Sequence, residues 1–260
     1  MSDSSFEKIT QPWLAAVEAA RQIEISRLGG RMHSLYLRGS AARGRAMEGR
    51  SDLDLFAVVF DDERGAGQSP PWSDEDRRSF LQRFPFVVSV ESSEISLANV
   101  FGPFHYYRFA IKTAAVCIAG EDLLPQIEAY KADAPIAEEW FRIFPHFIDQ
   151  FLHEIQETTD PDRKKGLCMD IAKVFLRSGM LLVMRRTMSY SRDLYPSYQA
   201  FSAIYPQQEP QMMRALELAV NPMDGGSELV TFVQDFGTWM KRAAETEFGE
   251  LELLPAELTK

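Results

Sequence analysis

The segment 35–59, LYLRGSAARGRAMEGRSDLDLFAVV, constrains the fold more than any other part of the chain. An apolar run ends at Gly39-Ser40, a basic loop follows, and a second apolar run carries Asp52 and Asp54. Such runs, bounded by turn residues, predict two strands, near 34–38 and 53–60. Side chains alternate faces along a strand. Asp52 and Asp54 therefore project together, with Leu53 and Leu55 on the other face. Two adjacent carboxylates repel, and burying them unpaired is costly. A hard cation such as Mg²⁺, usually held by one or two carboxylates plus substrate phosphates, removes that cost. Gly39 allows close approach of the backbone, where the amide and hydroxyl of Ser40 can meet a phosphate. Together these features imply metal-assisted chemistry on a nucleoside triphosphate.

Gly39-Ser40, a spacer, and Ser51-Asp52-Leu53-Asp54-Leu55 resemble the hG[GS]…[DE]h[DE]h signature of the polymerase-β-like nucleotidyltransferase superfamily. The resemblance is to its small bacterial branch, the aminoglycoside and minimal nucleotidyltransferases. It implies transfer of AMP from ATP to a hydroxyl, with pyrophosphate leaving, assisted by two Mg²⁺ ions about 3.5–4 Å apart. By resemblance, Asp52 and Asp54 hold the metals and Gly39 and Ser40 the β/γ-phosphates. A third carboxylate on the next strand completes the metal site or accepts the hydroxyl proton. Val90-Glu91 matches best, with Glu94 as the alternative.

Arg38, Arg43, Arg45 and Arg50 surround the turn. Arginine binds phosphate bidentately, and Arg43, nearest the turn, is the first candidate. Farther along, Lys173 and Arg177 share one face of a predicted helix. The resemblance assigns Lys173 to the triphosphate; an ion pair with Asp170 is the competing role. Tyr190-Ser191-Arg192-Asp193-Leu194-Tyr195-Pro196-Ser197-Tyr198 resembles an element in the helical portion of such enzymes. There Ser191 or Asp193 can cap the next helix, or Arg192 and Asp193 can line an acceptor pocket.

The rest of the chain frames this motif. Periodicity predicts a first helix over 5–25, a loop over 61–75, a short helix over 74–83, and a third strand containing Val87, Val88 and Val90. A helix and a short apolar run then close at Gly120. Helical spacing follows over 136–157, 165–189, 193–205, 208–220 and 227–246, with the apolar stripe of 166–188 read as core. The acidic C-terminus reads as a docked or frayed tail. The expected fold is α+β, with a catalytic domain over 1–120 built on a mixed sheet and a helical domain over 121–260.

At 260 residues the chain can bury a substantial core, and its net charge of −10 argues against a long nucleic-acid partner, which needs clustered Lys and Arg. It suits a small polycationic acceptor such as an aminoglycoside. Cys117 and Cys168 have no metal-ligand spacing and predict two reduced, buried thiols. The four histidines form no zinc pattern. The start MSDSSFEKIT has no signal-peptide pattern, and no apolar run reaches membrane-spanning length. These features predict a cytoplasmic protein. Two further functions stay open: an antitoxin-like enzyme that modifies a protein side chain, and a nucleotide-binding regulatory module without turnover.

Overall fold

The computed structural model describes residues 3–61, 72–132 and 135–254. The chain divides into two compact units, Met1–Tyr130 and Lys131–Lys260. The first combines a mixed sheet with helices and the second is helical, so the fold class is α+β.

In the first unit, α1 (Trp13–Leu28) precedes β1 (Met32–Arg38), the one-turn α2 (Gly39–Ala42) and β2 (Leu53–Val59). The expected helix over 5–25 is corrected: Phe6–Lys8 form a separate tight turn, and α1 starts at Trp13. Pro12 precedes Trp13, and the fixed φ of proline suits the start of a helix. Next comes α3 (Asp74–Arg83), capped by the Ser73 side chain, which accepts from the Asp76 amide. Asp74, Glu75 and Asp76 fill its first turn, where negative charge complements the helix dipole. Part of the predicted loop, residues 62–71, lies outside the described residues.

The third strand, β3, spans Val90–Ser96, so Val87 and Val88 precede it. Val87 closes a turn on the Phe84 carbonyl, and Val88 is 53% exposed, which explains why β-branching alone misplaced the strand start. Then follow α4 (Leu97–Val100), α5 (Tyr106–Ala114) and β4 (Ala115–Gly120).

The sheet order is β3-β2-β1-β4. Pairings β1–β2 and β1–β4 are antiparallel, whereas β2–β3 is parallel. A parallel pair requires a crossover connection, and the segment containing α3 supplies it. On one face Leu35, Leu37, Leu53, Leu55, Ala57 and Val59 form a core with α1 and α3. On the other, Tyr36, Phe56 and Val58 pack with Val100 of α4 and Ile111 of α5. Leu123 and Ile127 join this second core, which carries the first unit past Gly120 to Tyr130.

The second unit contains α6 (Ile136–Glu157), α7 (Pro161–Thr187), α8 (Leu194–Ile204), α9 (Glu209–Val220) and α10 (Ser227–Phe248). On α6, Phe141, Phe144, Ile148, Phe151 and Ile155 are buried at the three- and four-residue spacing of one helix face. The long α7 begins with Pro161 behind an Asp160 cap and buries most of its second half, Leu181–Met184 included. Phe175 of α7 meets Phe232 and Phe236 of α10 at ring-centroid distances of 5.5 and 5.0 Å. The described tail is docked: Leu254 donates its amide to the Arg142 carbonyl, and its own carbonyl meets His146 Nε2. Residues 255–260 lie outside the described residues. Among the described residues, no helix is long and apolar enough to cross a membrane.

Candidate active site

The β1–α2–β2 hairpin organises the site. Gly39 adopts φ +80°, a conformation that side-chain-bearing residues rarely take. A Cβ there would lie 3.7 Å from Asp54 Cβ, so the turn runs directly beside that carboxylate. The Ser40 carbonyl accepts the amides of Arg43 and Arg45 at 3.2 and 2.9 Å, holding the turn closed. Arg43 folds back, its Nε donating to the Gly39 carbonyl at 3.3 Å. Ser51, buried, accepts the Met47 amide on its Oγ and fixes the loop immediately ahead of Asp52.

Asp52 stands one residue before β2, in alternation with fully buried Leu53. Its carboxylate has no hydrogen-bond or ion-pair partner among the described residues. Asp54 lies on β2, opposite Arg38 in the antiparallel register. Arg38 Nε donates to Asp54 Oδ1 at 2.7 Å, and Arg38 Nη1 donates to the Tyr106 hydroxyl at 2.8 Å. The guanidinium also lies 5.8 Å from the Phe56 ring centroid. Burial alone would lower the Arg38 pKa; Tyr106 and Asp54 outweigh it and raise it, so this side chain stays charged.

The register of the parallel pair places Glu91 directly beside Asp54. Register partners in neighbouring strands, about 4.8 Å apart, present side chains to the same face. Glu91 is exposed there. Ser93, two residues on, stands beside Phe56. Burial raises the pKa of Tyr107.

Glu94 is different. It pairs with Ala57, whose side chain belongs to the opposite core, and its own side chain is 4% exposed. Arg27 Nη1 donates to Glu94 Oε1 at 2.6 Å, and Arg31 lies 3.7 Å from Oε2. Arg27 also holds fully buried Glu24, which accepts Trp72 Nε1 at 2.7 Å. Glu94, the alternative third carboxylate, is therefore committed to an ion-pair network on the back of the sheet. An odd offset of three residues along a strand reverses the face.

The remaining candidates lie in the second unit. Lys173 Nζ is 3.7 Å from Asp170 Oδ1, the pairing weighed against its triphosphate role. Asp193 occupies the N-cap position of α8 without a side-chain cap bond, which corrects the expected cap. Ser191 Oγ instead accepts the Asp193 amide, and Ser197 Oγ donates to the Asp193 carbonyl at 2.7 Å. Cys168 is buried and Cys117 only partly so; both thiols are free.

Two participants escaped the motif. Arg38 is the last residue of β1 and Tyr106 the first of α5, both outside the Gly-Ser and Asp-x-Asp pattern. The sequence places Arg38 on the same face of β1 as Tyr36 by alternation, but only the strand register sets it opposite Asp54 across the long 39–52 connection.

Asp52, Asp54 and Glu91 share a face, but among the described residues no three His, Cys, Asp or Glu side chains form a ready-made metal cluster. The donor chemistry still fits Mg²⁺. Asp52 and the second oxygen of Asp54 supply hard oxygens, and Mg²⁺ commonly completes its shell with water and substrate phosphates.

The fold is thus a mixed four-stranded sheet with helices, followed by a helical unit, with an acidic pair set beside a glycine turn. No family model matches the sequence, and no curated protein does. Among solved structures, the chain is similar to a spectinomycin adenyltransferase from Enterococcus faecialis, with ATP and spectinomycin. The likeness has 13% identity and a TM-score of 0.48, covering 89% of this chain and 98% of that one.

Proposed function

We propose that this protein is a Mg²⁺-dependent nucleotidyltransferase that moves AMP from ATP to a hydroxyl of a small acceptor. The observation that carries this is the Asp54–Glu91 register beside the positive-φ Gly39 turn. It groups Asp54, exposed Glu91 and a closely approachable backbone at one end of one sheet face.

Asp52 and Asp54 are the residues that would hold Mg²⁺, which when bound neutralises phosphate charge and aids departure of pyrophosphate. Gly39 keeps side-chain bulk away, so that the Ser40 amide and hydroxyl can contact the β/γ-phosphates. Arg43, already bent over Gly39, adds a guanidinium to that contact. Glu91 accepts the proton of the attacking hydroxyl. By the family resemblance, Lys173 is a further cation for the triphosphate. The net charge of −10 favours a polycationic acceptor of aminoglycoside type.

The test is calorimetric titration of ATP with and without Mg²⁺ on the wild type and Asp52→Asn, then GTP, CTP and UTP. A pyrophosphate-release screen over aminoglycosides follows. Mg²⁺-dependent binding lost in the variant, with acceptor-dependent release, is the expected result. Silence from all four nucleotides would sink the proposal.

A second function has one observation in its favour. Arg38 already neutralises Asp54, which suits a nucleotide-binding module without turnover. Nucleotide binding without pyrophosphate release from any acceptor would select it.

A further inference from the structure

Arg38 is not placed by chance next to the acidic pair. The antiparallel register makes it the cross-strand neighbour of Asp54, and the Gly39 turn begins at the very next residue. Its guanidinium is held at two points, by Asp54 Oδ1 at 2.7 Å and by the Tyr106 hydroxyl at 2.8 Å. The Arg38 side chain is only 18% exposed, and that of Asp54 21%. Withdrawing one partner of such a pair leaves a partly desolvated charge without compensation.

A carboxylate that bridges two metal ions most often gives one oxygen to each, and a cation already seated against one oxygen opposes a metal ion there by charge and by space. Asp54 has one committed to a cation that cannot be deprotonated. A second divalent ion would have to displace the guanidinium or stand against its positive charge at short range. We propose that Arg38 acts as a built-in cation at Asp54, so that the site takes one Mg²⁺ together with the nucleotide. This inference rests on the transferase function proposed above. Arg38 is a positioning residue in it: it orients Asp54 so that one oxygen faces the ion, and Tyr106 keeps the guanidinium aimed. Any loss of the Arg38 charge then opens room for a second ion.

The experiment counts Mn²⁺, a paramagnetic substitute for Mg²⁺, by electron paramagnetic resonance on the full chain with a saturating non-hydrolysable ATP analogue. Wild type and Arg38→Lys, which keeps the charge, are expected to bind one ion per chain, and Arg38→Gln two. Two ions in the wild type would overturn the inference, as would a single ion in folded Arg38→Gln. Should Arg38→Gln fail to fold, the wild-type count still decides. If calorimetry shows that the analogue does not bind at all, the transferase function fails, and this inference with it.

Discussion

Asp54 and Glu91 stand side by side across the parallel β2–β3 pairing, each on the sheet face that also carries Arg38 and Phe56. Three residues beyond Glu91, Glu94 faces the opposite core and is held by Arg27. The two glutamates of one strand therefore have separable roles, and substitution can tell them apart.

Glu91→Gln is expected to leave stability within about 0.5 kcal/mol, because the residue is exposed. Turnover should fall by about 10²–10⁴, the usual contribution of a general base, while ATP affinity holds. Steady-state kinetics beside calorimetry checks this; unchanged turnover would remove Glu91 from the chemistry.

Glu94→Gln should do the reverse. It breaks the buried Glu94–Arg27 ion pair, a loss of about 3 kcal/mol. Urea denaturation measures it. A variant as stable as the wild type would show that the network contributes nothing.

For Asp52→Asn, Mg²⁺-dependent ATP affinity should drop by at least about tenfold, since even indirect metal partners contribute that much. Stability should be nearly unchanged, because Asp52 has no partner among the described residues. Retained affinity would displace the metal assignment from this residue.

Gly120 ends β4 at φ +78°, and a Cβ there would lie 2.1 Å from the His33 carbonyl oxygen. No backbone so placed can yield cheaply. Gly120→Ala should cost at least about 2 kcal/mol, read as a lowered melting temperature; a neutral effect would contradict the β1–β4 edge.

The pH response has a defined sign. Burial, reinforced by Asp122, pushes the Cys117 thiol from 9.0 up to about 11. Between those values the unfolded chain releases the proton while the folded chain keeps it, so stability falls as pH rises through this window. Thermal melts from pH 8 to 11 should show the decline, and Cys117→Ala should flatten part of it. An identical decline in the variant would assign it to other groups.

Much of this architecture was legible along the chain. The hairpin strands follow from an apolar alternation interrupted by Gly39-Ser40 and restored after Asp54. Helix α6 follows from the regular return of Phe141, Phe144, Ile148, Phe151 and Ile155. Helix α3 shows itself in its Ser73 cap and acidic first turn. Each is a local pattern, set by residues within a few positions of one another. Less legible was the start of β3, because Val87 and Val88 have strand-forming side chains but sit in a turn whose shape depends on Phe84 and on pairing to Ser51.

The sequence by itself determined the glycine turn, the acidic pair and the order of most helices and strands, since backbone propensity and side-chain periodicity act over short distances. Only the tertiary structure decided which neighbour each charge meets. Whether Glu91 or Glu94 joins Asp54 depends on the register of two strands separated by α3, and one residue of slip would exchange their faces. The Arg38–Asp54–Tyr106 chain likewise unites residues from β1, β2 and α5. Its electrostatics follow from burial and distance between elements remote in sequence, quantities that no local pattern carries.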